Sequence, residues 1–184
     1  MCYFCDVLSR KKRNMEIKIE DAALRQAAAS GMDEFIETVR GAILDAIGGQ
    51  LTAQNMGELN AEQITLLAWG FLHEEMMDGG MVQLIYNGYG PFIFLNPTAR
   101  AFREWGLGDL YRLLNRGHKF YNRHRQLLES DCDDEAFMAL YEQCPEFDDL
   151  DDEFVENEEE WTGLVAHYVD EHLGNFVTIV NSQD

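Results

Sequence analysis

Positive charge is missing from the last third of this chain. No Lys or Arg follows Arg125, yet Gln126 to Asp184 holds 19 Asp or Glu, a formal charge of −19. The first 125 residues hold 15 acids and all 14 bases, or −1, so nearly all of the net −20 lies at one end. Such asymmetry bears on partners and solubility rather than on fold. It argues against phosphate, nucleic acid and anionic membrane as ligands of that end, and favours a basic protein surface.

Proline is scarce, three in 184 residues, which leaves room for long helices. Cysteine is scarce too. Cys2 and Cys5 form a CxxC near the start, while Cys132 and Cys144 stand alone, so there is no Cys/His quartet at zinc spacing. Reduced thiols are the expectation, with a redox or metal role for Cys2 and Cys5 as the alternative. No apolar run reaches the ~20 residues of a membrane span. The start "MCYFCDVLSRKKR" is apolar first and basic second, the reverse of a secretory signal. These absences point to the cytoplasm. Disorder is excluded by composition, because 46% of the residues are apolar.

What is present is helical periodicity, and the fold class expected is all-α in one multi-helix domain. "MDEFIETVRGAILDAIGG" places Phe35, Ile36, Val39, Ile43, Leu44 and Ile47 at three- and four-residue steps, with Gly48–Gly49 as the stop. The Ala-rich "IEDAALRQAAAS" before it also reads as helix. Asn60 and Gln63 make a capping-box pair ahead of Ile64, Leu67, Ala68, Phe71, Leu72 and Met76. "MVQLIY" (81–86) suits either a strand or a short buried helix between glycine breaks. A short helix follows from Thr98 to Trp105, then a longer one from an Asp109 N-cap to about Leu128. Asp131 or Asp133 caps the next. The expected divisions are a flexible basic tail (1–16), a helical extension (17–59), the main helical domain (60–176) and a tail (177–184).

The helix after Asp109 carries Arg112, Arg116, Lys119 and Arg123 within about 60° of one another. This stripe is expected to meet the acidic end of the same chain or to lie in solvent. A nucleic-acid site is the other reading, which the neighbouring acids oppose.

Between Cys144 and Trp161 lie ten acids and no base: Glu146, Asp148, Asp149, Asp151, Asp152, Glu153, Glu156, Glu158, Glu159 and Glu160. Phe147, Leu150 and Phe154, with Val155 beside them, recur at helical spacing and can anchor one face in a core. The acids then form the wet face. Calcium is a poor fit, because no glycine stands where an EF-hand loop needs one. A rigid row of carboxylates approaches the charge density of DNA, about one charge per 1.7 Å of duplex axis. "LVAHYVDEHLGNF" continues with a further helical face.

"HEEMMDGGMVQLIYNGYG" (His73 to Gly90) and "FDDLDDEF" (Phe147 to Phe154) together resemble a bacterial family of DNA-mimic proteins, the type named for a member of about nineteen kilodaltons. The resemblance spans roughly Asn60 to Phe176. It implies a helical domain without catalytic chemistry, and a member that imitates DNA toward a transcription factor. Glu75, Gln83 and Asn87 are expected to form a buried polar network.

Catalytic signatures are absent. "HEEMM" lacks the second histidine of HExxH, His118 and His124 are six apart, and His167 and His172 are splayed by about 140° on a helix. No P-loop, GxSxG or dinucleotide fingerprint occurs. The expected function is therefore an acidic interaction protein that mimics DNA charge and blocks a basic DNA-binding protein. It would use the ten acids of 146–160 as its partner-binding residues, with no cofactor, no metal, no direct nucleic acid and no membrane; a homodimer is left open. The alternatives are an immunity-type or antitoxin binding protein and, third, an enzyme.

Overall fold

In a computed structural model the structure describes residues 15–181. The CxxC cysteines and the Arg10–Arg13 cluster lie outside the described residues. The fold is mostly α-helical, as the periodicity implies, with one small sheet of two three-residue strands. The described chain divides into two units: 15–64 with 172–181, and 65–171.

The first unit opens with β1 (Lys18–Glu20), α1 (Asp21–Ser30) and α2 (Met32–Ala46). Helix α2 buries Phe35, Ile36, Val39 and Ile43 and keeps Leu44 and Ile47 half-buried, the face anticipated from their spacing. Its end is set by Gly48 and Gly49, both in the left-handed region, with the Gly49 amide bonded back to the Leu44 carbonyl at 2.7 Å. Strand β2 (Thr178–Val180) pairs parallel with β1, Ile19 opposite Ile179.

Helix α3 (Ala61–Asp78) starts on the capping box. The Gln63 amide donates to Asn60 Oδ1 at 2.9 Å, and the Asn60 amide donates to Gln63 Oε1 at 3.0 Å. The same two side chains also hold the C-terminal segment: Asn60 Nδ2 donates to the Asn175 carbonyl (2.8 Å) and Gln63 Nε2 to that of Phe176 (2.9 Å). Asn60→Ala therefore loses a cap and a tether together. We expect it to destabilise the chain by about 1–2 kcal/mol, read from the urea midpoint. A cost within a few tenths of zero would show that the box does not support the fold.

The second unit continues α3 into α4 (Gly80–Tyr86), α5 (Gly90–Phe94), α6 (Thr98–Glu104), α7 (Gly108–Leu128), α8 (Asp134–Gln143) and α9 (Asp148–Glu171). The ambiguous "MVQLIY" is thus helix, and it buries Met81, Val82, Leu84 and Ile85. Helix α7 packs against α4, α5, α6 and α9. It begins at Gly108, one residue before Asp109, because the Tyr111 amide bonds the Leu107 carbonyl. Asp109 therefore sits in the first turn and pairs with Arg112 rather than capping. Asp133 does cap α8, its Oδ1 accepting from the Ala136 amide at 2.9 Å. Helix α9 is continuous for 24 residues and joins the acidic stretch to "LVAHYVDE". Among the described residues no helix is long and apolar enough to cross a membrane.

Candidate functional site

The acidic stretch is firmly anchored. Phe147 and Phe154 have no solvent exposure, and Leu150, Trp161, Val165 and Val169 are buried with them. Phe154 lies between rings from two helices, stacked on Trp69 of α3 at 6.4 Å and edge-on to Trp161 at 5.4 Å. Val155, grouped with these anchors from the sequence, is exposed instead. It follows Phe154 by one residue, so it lies about 100° round the helix, on the wet side.

The ten acids divide by environment. Asp148, Asp149, Asp152, Glu156, Glu159 and Glu160 are exposed, and among the described residues none of them makes an ion pair or a side-chain hydrogen bond. At 100° and 1.5 Å per residue they fan over about 120° of the helix along about 18 Å of its axis. That is one charge per about 3 Å, close to the 3.4 Å charge spacing along one strand of DNA.

The other four point into the protein's own contacts. Glu153 pairs with Arg116, and Glu146 with Arg123 Nη1 (2.8 Å) and His124 Nε2 (3.2 Å). A bond from its own backbone amide, with those from His124 and Arg123, holds the Glu146 carboxyl below its ordinary range. Two members of the α7 stripe, Arg116 and Arg123, thus meet the acidic end of their own chain in solvent-screened pairs. Glu158 is half-buried. Desolvation raises its pKa, but bonds from His73 Nε2 (2.6 Å) and Thr162 Oγ1 (2.8 Å) outweigh that and lower it. His73 also packs against Trp69, so this contact clamps α3 to α9.

Asp151 has the most confined position of the ten. Its Oδ1 accepts from the Met81 amide at 2.9 Å, at the first turn of α4. Gly80 is left-handed (φ 74°), and a Cβ there would stand 2.4 Å from Asp151 Oδ2. A Cβ on Gly79 would strike the Gln83 side chain, and the Gly79 carbonyl accepts from the Tyr141 hydroxyl at 3.0 Å. The two motifs, Gly-Gly and "FDDLDDEF", are therefore two halves of one joint. Sequence reasoning treated Asp151 only as a surface acid; its role depends on a contact 70 residues away.

The polar network on the glycine segment also forms. Gln83 Nε2 donates to Glu75 Oε2 (3.1 Å) and to Asp78 Oδ2 (2.7 Å), and Asn87 Nδ2 donates to Glu75 Oε2 (2.8 Å). It is half-exposed rather than buried, because Asn87 and Asp78 face solvent at the helix ends. A cleft of about 260 Å³ among α5, α6 and α7 is lined by His118 and Arg100 and by no acid.

Comparison with known proteins agrees with this geometry. A protein of Neisseria meningitidis serogroup B (strain ATCC BAA-335 / MC58), described as "DNA mimic protein DMP19", is 32% identical over 127 residues, covering 68% of this chain and 77% of the relative. The family model for DMP19-like protein matches residues 57–172, which contain the Gly-Gly segment, the acidic motif and all of α9. The chain belongs to the DMP19-like protein family.

Proposed function

We propose that this chain is a non-catalytic, intracellular interaction protein that presents the α9 carboxylates in place of DNA phosphates and so occupies a basic DNA-binding protein. The carrying observation is the row of six exposed carboxylates, unpaired among the described residues, on a helix whose opposite face is buried. A disordered acidic tail would attract cations without presenting them in fixed positions. Here the spacing is fixed by a folded backbone, so cationic side chains placed to read phosphates find charges at similar intervals. Glu146, Asp151, Glu153 and Glu158 belong to the same surface segment and support it through their internal contacts.

The family relative's description as a DNA mimic supports the same reading. The test is capture of DNA-binding proteins on the immobilised chain, followed by competition. Duplex DNA should displace the captured protein. The complex should also weaken steeply between about 0.05 and 0.5 M salt, as the screening length contracts. A stoichiometric complex indifferent to both salt and DNA would refute mimicry and favour an immunity-type binding protein.

A further inference from the structure

We propose that the cleft among α5, α6 and α7 binds a small monocarboxylate with a flat apolar body, the body on the floor made by Ile93, Phe94 and Leu114 and the carboxylate toward Arg100 and His118. Such a site is separate from the α9 row and does not depend on what that row binds.

Charge singles this cleft out. In a chain of net −20, helices α6 and α7 hold seven Lys and Arg against two acids, Glu104 and Asp109. Arg116 and Arg123 of that group serve α9, but Arg100 and Arg103 do not. Arg100 lines the cleft and gives its Nε to Glu104 at 3.1 Å, which leaves the terminal nitrogens of its fork as donors. Arg103 lies 4.8 Å above the ring of Tyr111, another lining residue, and among the described residues it pairs with no acid. Neither the His118 imidazole nor the Tyr111 hydroxyl makes a hydrogen bond among the described residues, so both can serve a ligand. With Glu104 offsetting Arg100, the set is one positive charge in excess. That balance suits a carboxylate, whose two oxygens also fit an Arg fork, better than a doubly charged phosphate. The charge of the whole chain opposes an anion at long range, but screening over about 8 Å at physiological salt leaves the decision to these neighbours.

The cleft is also built before anything enters it. Gly117 lets Phe94 seat on α7, since a Cβ there would stand 3.2 Å from the ring. Phe94 in turn stacks on Tyr121 (5.0 Å) and on His118 (6.1 Å, planes 18° apart), which sets the imidazole plane. The rim between α5 and α6 is tied down: Asn96 Nδ2 donates to the Pro91 and Phe92 carbonyls (3.3 and 3.2 Å), and Thr98 Oγ1 donates to that of Phe92 (3.1 Å). On the α7 side Asn115 Nδ2 donates to the Tyr111 carbonyl at 2.7 Å. A site shaped in advance costs less ordering when its ligand binds. Its volume of about 260 Å³ falls below the 300 Å³ or so at which clefts for drug-sized molecules begin, which limits the ligand to a body of about one ring. The aromatic walls of Phe94, Tyr111 and His118 favour a flat one.

The experiment titrates the full chain with sodium benzoate and, at matched ionic strength, with benzyl alcohol, an uncharged molecule of nearly the same shape. NMR follows the His118 ring and the Ile93 and Leu114 methyls. Benzoate should shift all three saturably with a Kd on the order of 1 mM, and should bind about three- to tenfold more tightly than the alcohol. Replacing both exposed arginines, Arg100→Gln with Arg103→Gln, should remove that preference and leave the alcohol's affinity as it was. Ala99→Leu, which fills the cleft, should weaken both probes. The site is overturned by the absence of saturable benzoate shifts at these nuclei up to about ten times the expected Kd. Equal affinity for the two probes in the wild type would overturn it as well, and neither of these measurements needs a variant to fold. So would a preference for benzoate that survives the loss of both arginines.

Discussion

Phe154→Ala should destabilise the protein by about 3–5 kcal/mol, the cost of emptying a fully buried aromatic site. The ring touches Trp69 and Trp161 and faces His73, so its loss opens a cavity where α3 and α9 meet. Small domains hold only about 5–15 kcal/mol in total, so a large part of the folded population is at stake. The informative control is one residue away. Val155 is 54% exposed, and Val155→Ala should stay within about 0.5 kcal/mol. Urea midpoints at constant slope measure both. A Phe154→Ala cost below 1 kcal/mol would show that α9 is not held by this cluster. The consequence for function is specific: the variant keeps every carboxylate and loses their fixed placement. Its complex should weaken at temperatures where the fold is only partly populated, with no change in formal charge.

The contrast between Phe154 and Val155 also shows what a sequence makes legible. Local signals carried well. The Asn60–Gln63 box, the Gly48–Gly49 stop and the Asp133 cap each need only neighbours within a few residues, and each is formed as anticipated. Tertiary choices did not show. "MVQLIY" is helical in the company of Asp151, 70 residues on, which accepts from the Met81 amide in the first turn of α4 and fits only against a glycine. The strands β1 and β2 are three residues each and stand at opposite ends of the described chain, so no hairpin spacing announces them. The acidic row was legible as a total but not in its parts. Which carboxylates are engaged is decided by distant partners: Arg116 and Arg123, whose partners Glu153 and Glu146 lie 37 and 23 residues away, His73 for Glu158 and the Met81 amide for Asp151.

That division of the acids permits a test of whether shape matters beyond net charge. Asp149→Asn, Asp152→Asn, Glu156→Gln and Glu160→Gln together remove four exposed carboxylates from the row. Folding should be unharmed or slightly improved, because the repulsions of 152 with 156 and of 156 with 160 are each worth a few tenths of a kcal/mol. Binding should suffer. At about 0.2–1 kcal/mol per exposed charge pair, the four account for roughly 1–4 kcal/mol, about a fivefold to thousandfold loss of affinity at low salt. The dependence of log affinity on log salt should lose roughly one unit per carboxylate that the partner's cations cover. The matched control neutralises Asp131, Asp134, Glu135 and Glu142, four exposed acids on and before α8, and changes the net charge equally. If the partner senses only the overall field, both quadruple variants weaken it alike. If it docks on the α9 row, the first variant loses the complex while the second changes mainly the association rate, since distant charges steer encounter without setting the bound contacts. Equal losses would leave an acidic protein without a mimic's geometry. Unequal losses would place the partner on the carboxylates that Arg116 and Arg123 leave uncovered.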